Sequence, residues 1–395
     1  MNILYHHRTR FTDAQRIHIL ELVRSFTELK HQVRIVSLVG TEQPQNVKRD
    51  AENPLWQRLA RAIPFTYELT QLGYNLLGIP LLLFHVLRHP VDFIYERYSL
   101  FNISGVFVAK LCRIPIVLEV NSPFAIEQSR DKHIRLNRLA QLVETWTCNA
   151  ATRIIVVSTP LKRILAGAGV SADRIEVMPN GVRMETFVQQ PAPDGLRNSL
   201  GLGPETRIIG FVGWFRKWHG IEMLLDAFRI SGVAKQGVKV MLLGDGQAMA
   251  DLRQYVAENG MQQDVIFTGP LPHHEVPAYL NLIDIAVQPA ANEYCCPMKI
   301  LEYMALGKPI VAPRQANIEE LLRNGQEARL FEPGNAGSLA EALRAMIADL
   351  PAAQRMGERA REAIGTRGLL WNENARRVIE LVRTAAGASP DVVES

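Results

Sequence analysis

The chain is poor in the features that mark metal, disulfide or membrane-spanning chemistry. Four of its 395 residues are cysteine: Cys112, Cys148, Cys295 and Cys296. None has the paired spacing of a zinc site, and adjacent Cys295 and Cys296 make no ordinary structural disulfide, so this usage suits a reducing compartment. There is no Asp-x-Asp pair and no cluster of His, Cys and carboxylate, so no metal site is expected. No low-complexity tract appears, and Met1-Asn2-Ile3-Leu4-Tyr5 reads as a strand rather than a signal peptide. The expected location is the cytoplasm or the cytoplasmic face of a membrane. The apolar stretch Leu76–Leu87 is shorter than the roughly 20 residues of a spanning helix and is interrupted by Gly78 and Pro80. It is expected to be a buried core helix, with an interfacial membrane segment as the alternative.

What is present describes a soluble protein with 47% hydrophobic and 21% charged residues, long enough for two cores. Charge is uneven: residues 1–190 carry 23 Lys/Arg against 16 Asp/Glu, and the remainder 21 against 24. A basic first half fits an anionic membrane leaflet or an anionic acceptor; a solvated surface with chance asymmetry explains the counts equally well. Nucleic acid is not an expected partner.

Short apolar strands alternate with amphipathic helices: 2–5, 33–38, 93–95, 116–120 and 154–157 as strands, with helices at 16–29 and 136–150 among them. That alternation predicts an α/β domain with a parallel sheet covered on both faces. After the polar, Pro-rich run Gln189–Gly195 the pattern restarts from strand 207–212. The expected domains are 1–188 and 205–368, joined by a linker at 189–204. A helix at 369–386 and a disordered tail at 387–395 are expected to follow. Two doubly wound halves bind ligands at the carboxyl ends of their strands.

The most informative segment is Glu293-Tyr294-Cys295-Cys296-Pro297-Met298-Lys299-Ile300-Leu301-Glu302-Tyr303-Met304-Ala305-Leu306-Gly307-Lys308-Pro309. Pro297 opens a helix that Gly307 stops. Free N–H groups at such a start attract a diphosphate. Lys299 in the first turn opposes the helix dipole unless an anion sits there. Glu302, on the same face, is placed to accept hydrogen bonds from ribose hydroxyls; an ordinary capped helix with a surface Lys and Glu is the alternative. The loop His6-His7-Arg8-Thr9-Arg10 follows the first strand. His7, Arg8 and Arg10 are candidates for acceptor or phosphate contact, or equally for a packed histidine and solvated arginines. Arg97, ending another strand, is a further acceptor-binding candidate.

The segment around Glu302 resembles the signature of the retaining GT-B glycosyltransferases of family 4, whose "Glu-Ala-Met-Ala-x-Gly-x-Pro" is close to Glu302-Tyr303-Met304-Ala305-Leu306-Gly307-Lys308-Pro309. Met178-Pro179-Asn180-Gly181-Val182 with Phe187, Leu243-Gly244-Asp245-Gly246 and Phe267-Thr268-Gly269 resemble other stretches of that family in order and spacing. The resemblance implies a GT-B fold, with two Rossmann-like domains facing a central cleft and the C-terminal helix crossing back to the first domain. It implies Glu302 on the donor ribose and the backbone around Cys296, Pro297 and Met298 on the diphosphate; Lys299, Ile300, Leu301, Gly213 and His219 are further donor-binding candidates. The family's Arg and Lys anion clamp corresponds to Trp214 and His219 in Gly213-Trp214-Phe215-Arg216-Lys217-Trp218-His219-Gly220; Arg216 and Lys217 stand between them as substitute cations. The family's sugar-contacting Glu corresponds to Tyr294, one residue from Glu293, and its first-domain histidine to Asn121. Glu293 and Asn121 are therefore candidates at the reacting sugar.

The implied activity is transfer of a sugar, with retention, from a UDP- or GDP-sugar to a saccharide or lipid-linked saccharide in cell-surface polysaccharide synthesis. The nucleotide-sugar is a substrate, and no cofactor or metal is expected; leaving-group charge would fall on cations and helix-start amides. A noncatalytic sugar-binding subunit, or a phosphorylase or epimerase on the same frame, is the rival reading.

Overall fold

The computed structural model describes the chain except residues 10–13, 40–64, 131–133, 192, 194, 273, 386 and 388–395. It divides into two compact units: Met1–Pro179 with Trp371–Ser395, and Asn180–Leu370.

The first unit contains strands β1 (Asn2–His6), β2 (Gln32–Val36), β3 (Phe93–Arg97), β4 (Ile116–Val120), β5 (Arg153–Val156) and β6 (Ile175–Val177). They form a parallel sheet in the order β2-β1-β3-β4-β5-β6, with Ile3 opposite Phe93 and Ile94 opposite Ile116. β3 and β4 are buried along their whole length, as expected of a sheet covered on both faces. Their charged residues Glu96, Arg97 and Glu119 collect at the carboxyl ends. The chain leaves β1 toward β2 on one side and β3 lies on the other, so the sheet switches direction at the ends of β1 and β3.

The second unit contains β7 (Arg207–Val212), β8 (Val238–Leu243), β9 (Val265–Gly269), β10 (Ile285–Val287), β11 (Ile310–Pro313) and β12 (Arg329–Phe331), all parallel, in the order β12-β11-β10-β7-β8-β9. Its switch point lies between β7 and β10. Phe211, Leu224, Phe228, Val240, Leu242 and Leu343 are among the buried residues that join strands to helices in its core.

Two expectations change and one holds. The Pro-rich segment at 189–204 lies inside the second unit and contains a helical turn, Leu196–Ser199; the division falls instead at Pro179/Asn180 and Leu370/Trp371. The reason is visible in the bonding: Gln189 donates to Leu306 O at 2.8 Å, and the Val182 N–H donates to Leu369 O at 3.0 Å, fastening this stretch to the second unit. The C-terminal helix returns to the first unit as expected: Trp371–Ala385 packs against the helix Ala14–Glu28 through Ala375, Val378, Ile379 and Val382. The apolar stretch at 76–87 is part of a longer helix, Thr66–Arg88, but it is not a core helix: Leu76 and Leu87 are 79% exposed and Leu77 66%. Only its other face, with Glu68, Tyr74, Asn75 and Leu82, is buried. Apart from Gly387, the tail at 387–395 lies outside the described residues.

Candidate active site

At the switch point of the second unit, the loop after β7 and the loop after β10 meet at the start of the helix Met298–Ala305. Pro297 is the residue before that helix, in extended conformation, and no side chain caps the helix start. The first N–H groups of any helix lack intrahelical acceptors, so those of Met298 and Lys299 remain available to an anion.

The loop ahead of the helix is held by its carbonyls. Gln288 Nε2 donates to Ala290 O at 2.5 Å, Gln315 Nε2 to Ala291 O at 3.3 Å, and Asn317 Nδ2 to Asn292 O at 2.9 Å and Cys295 O at 2.7 Å. Asn180 Nδ2 donates to Cys296 O at 3.0 Å. Four side-chain amides thus satisfy five successive or near-successive carbonyls, fixing the approach to the helix start. Asn317 carries no sequence signal for this part, since it lies on a short helix beyond the next strand; Asn180 was visible only within the Pro179-Asn180-Gly181 stretch.

Lys299 folds back over the loop after β7. An added Cβ on Gly213 would lie 2.3 Å from Lys299 Cε and displace that flexible side chain, and the φ of +144° at Gly213 itself favours glycine. Lys299 Nζ lies 3.4 Å from His219 Nε2 and 5.4 Å from the Phe211 ring centroid. Burial, then the charges of Lys299 and Arg216, push the His219 pKa down to about 3, so the imidazole is neutral and its Nε2 accepts from the ammonium. Burial also lowers the pKa of Lys299, opposed by the charge of Glu302. Glu302, one turn on, is pushed up to about 7 by burial, opposed by Lys299. A cation at the positive end of a helix and a carboxylate of raised pKa are poorly satisfied alone; a diphosphate beside one and hydroxyl donors beside the other would relieve both.

The remaining candidates fall in different places. Arg216 is exposed but close enough to act on His219 and Lys299. Lys217 points elsewhere, pairing at 3.7 Å with Asp251 in open solvent, which corrects its expected place in the clamp. Glu293 is exposed on the loop. Cys296 and Pro297 are buried, and burial pushes the Cys296 thiol up to about 12, so it is no nucleophile at neutral pH. Ile300 and Leu301 are fully buried in the core; their side chains cannot touch a donor, and only backbone contact is left to them.

In the first unit, Arg97 is buried and committed to Glu119 at 2.5 Å, with His18 Nδ1 at 3.1 Å from the same nitrogen. The strand end that exposes a side chain in a sequence diagram here folds it inward, so Arg97 positions Glu119 rather than an acceptor. Asn121 also donates to Glu119. His7 is buried, its Nδ1 accepts from the Thr9 N–H at 3.2 Å, and burial followed by the charge of His6 pushes its pKa down to about 4. Arg8 lies over the Tyr74 ring at 4.4 Å and lines a pocket of about 420 Å³ with Gln71, Ser99, Phe124 and Gln128. Arg10 lies outside the described residues. His6 joins Glu96 at 3.1 Å and Tyr74 at 3.0 Å, a buried network that sequence reading did not separate from its neighbours.

Residues 15–186 match the family model "Glycosyltransferase Family 4" and residues 206–349 match "Glycosyl transferases group 1". The chain belongs to the group 1 glycosyltransferases. This glycosyltransferase is 27% identical over 351 residues to the 2-deoxystreptamine glucosyltransferase of Streptomyces kanamyceticus, covering 85% of this chain and 89% of that protein. It is 25% identical to a D-inositol 3-phosphate glycosyltransferase of Pseudarthrobacter chlorophenolicus, over 74% of this chain and 71% of the other. Its fold matches that of the Anabaena protein HepE, crystallised with UDP, at a TM-score of 0.75 and 18% identity, over 97% of this chain and all of that one. The two parallel sheets are those of a GT-B glycosyltransferase, an enzyme that takes its sugar from a nucleotide-sugar donor.

Proposed function

We propose that this enzyme transfers a sugar, with retention and without a metal ion, from a UDP- or GDP-sugar to a saccharide or lipid-linked saccharide acceptor in cell-surface polysaccharide synthesis. The observation that carries the donor half is the Lys299–His219–Gly213 contact at the head of the Met298–Ala305 helix, with Glu302 one turn along. In this reading the donor diphosphate takes the N–H groups of Met298 and Lys299 and the Lys299 ammonium, with Arg216 at the solvent side. Glu302 accepts from the ribose hydroxyls. As the glycosidic bond to the diphosphate breaks, negative charge grows on the leaving oxygens, where fixed cations and helix-start dipoles stabilise it without reorganisation. Neutral His219 keeps Lys299 aimed without competing for the charge.

The acceptor half rests on the Arg8 pocket, whose guanidinium, two glutamines, serine and Phe124 suit a hydroxylated or anionic saccharide. HepE's complex with UDP supports a uridine donor by analogy of fold. Retention is read as attack by the acceptor hydroxyl on the face the diphosphate leaves, because the candidate carboxylates Glu293 and Glu302 have other placements: one in solvent, one assigned to the ribose.

The test is incubation with UDP- and GDP-sugars and a panel of saccharide and lipid-linked acceptors, following nucleoside diphosphate release and the anomeric configuration of the product by NMR. Release coupled to a product of unchanged configuration is expected. An inverted product or a trapped glycosyl-enzyme adduct refutes same-face attack, and absence of release with every acceptor favours a noncatalytic binding subunit.

A further inference from the structure

The helix Thr66–Arg88 is fastened to the first unit by one face only. Glu68 accepts the backbone N–H groups of Arg135 at 2.6 Å and Leu136 at 3.1 Å. Tyr74 meets His6 at 3.0 Å, and Asn75 donates to Phe101 O at 2.8 Å while accepting from the Ile103 N–H at 2.9 Å. Facing away are Leu69, Leu76, Leu77, Phe84 and Leu87, all exposed. At about 100° per residue these positions share an arc of about 100°, together with Gly73 and Pro80, and no charged residue falls within it. The stretch Glu68–Arg88 is long and apolar enough to cross a membrane by composition. Its polar fastenings hold it along the surface of the unit instead, since crossing would strip Glu68 and Asn75 of their partners.

The apolar surface continues onto two neighbouring helices. Phe107 and Leu111 are exposed on Ser104–Cys112, which packs against Thr66–Arg88. Trp146 is exposed on Asn137–Ala150, with Lys110 Nζ 5.6 Å from its ring centroid. The exposed ionised residues of the three helices are all cations: Arg88, Lys110 and Arg138. Their two acids, Glu68 and Glu144, are buried. Arg88 rides over the Phe84 ring at 4.8 Å. Cations laid over exposed aromatic rings, beside an uncharged apolar stripe, suit the boundary between phosphates and acyl chains.

We propose that this face lies in the plane of an anionic lipid bilayer, with the stripe of Thr66–Arg88 entering the headgroup boundary and Arg88, Lys110 and Arg138 meeting lipid phosphates. A second copy of the chain fits less well, because a two-fold contact through this face would set like charges against each other. The proposal goes beyond the transfer reaction and uses none of the donor-site residues.

The test is co-sedimentation of the full chain with vesicles of phosphatidylcholine alone and of phosphatidylcholine carrying about one-third phosphatidylglycerol. Binding to the anionic vesicles is expected, weaker by about tenfold or more when NaCl rises from about 0.1 to 0.5 M. The triple variant Leu69→Gln, Leu76→Gln, Leu87→Gln changes exposed positions only. It is expected to keep the wild-type melting temperature and nucleotide binding while losing at least about tenfold in vesicle affinity. Arg88→Glu with Lys110→Glu should abolish the preference for anionic lipid. The proposal fails if the chain stays in the supernatant at low salt, or if the triple variant sediments like wild type. Retention on the vesicles through an alkaline wash would overturn it in favour of a spanning helix. A dimer seen by light scattering and dissolved by the triple variant would overturn it in favour of self-association.

Discussion

Gly213, Lys299 and Glu302 carry the donor reading at the scale of single residues. Gly213→Ala would put a methyl group against Lys299 at a backbone angle that side chains avoid. The ammonium must then move, and UDP or GDP affinity is expected to fall by about tenfold or more in calorimetry while the fold survives. Glu302 makes a pH prediction. Its folded pKa, about 7, is raised above that of an exposed carboxylate, so the folded state loses stability as pH rises from the ordinary carboxylate range through about 7. Glu302→Gln should therefore melt a few degrees higher than wild type at pH 8 and yet bind nucleotide less well, the reverse of a residue kept for stability. Donor binding needs the ionised form, so wild-type affinity for a UDP- or GDP-sugar should climb between about pH 6 and 8 and then level, a rise absent from Glu302→Gln. Lys299 is legible in the sequence because a lysine in the first turn of a helix is locally out of place, whereas Glu302 and Gly213 are legible mainly through their resemblance to the family's motifs. Arg97 and Lys217 are not, because a strand-end or loop cation looks the same whether its partner is a ligand, Glu119 or Asp251.

Elements show a different balance. The parallel strands and most helices follow from apolar periodicity, and the site's helix from Pro297 and Gly307. Bonds that cross between elements leave no periodic trace: Asn317 holds the loop before the site from the far side of β11, and its second amide contact gains nothing for the helix it sits on. Asn317→Ala frees the carbonyls of Asn292 and Cys295 and should lower stability by about 1–3 kcal/mol, read as a fall in melting temperature. It should also weaken nucleotide binding, since the helix start would no longer be preset. Thr66–Arg88 misleads in the opposite direction. Its composition reads as core, and only the placement of Glu68, Tyr74 and Asn75 on one face, with their partners far away in sequence, turns the leucines outward.

At the scale of the whole molecule, the alternation of strands and helices was enough to foresee two parallel α/β units. The break between them is hidden because a Pro-rich run looks like a linker even when Gln189 fastens its start to the second unit. The return of the C-terminal helix has a stability consequence. Truncation before Trp371 strips Ala375, Val378, Ile379 and Val382 from the core of the first unit and exposes Phe26 and Tyr95 behind them. Burying an aliphatic side chain is worth about 1.5–3 kcal/mol, so this loss exceeds the margin of a typical domain. The truncated chain is expected to lose the melting transition of the first unit or to precipitate, measured by calorimetry and gel filtration.

The donor site is the claim on which the account turns, and calorimetric titration of wild type and Glu302→Ala with UDP, GDP and ADP tests it most directly. The account predicts saturable binding of UDP or GDP to the wild type, weakened by at least about tenfold in the variant because hydrogen bonds to a carboxylate are worth about 1.5–3 kcal/mol each. Equal binding by the two proteins, or no binding of any nucleotide to the wild type, would contradict it.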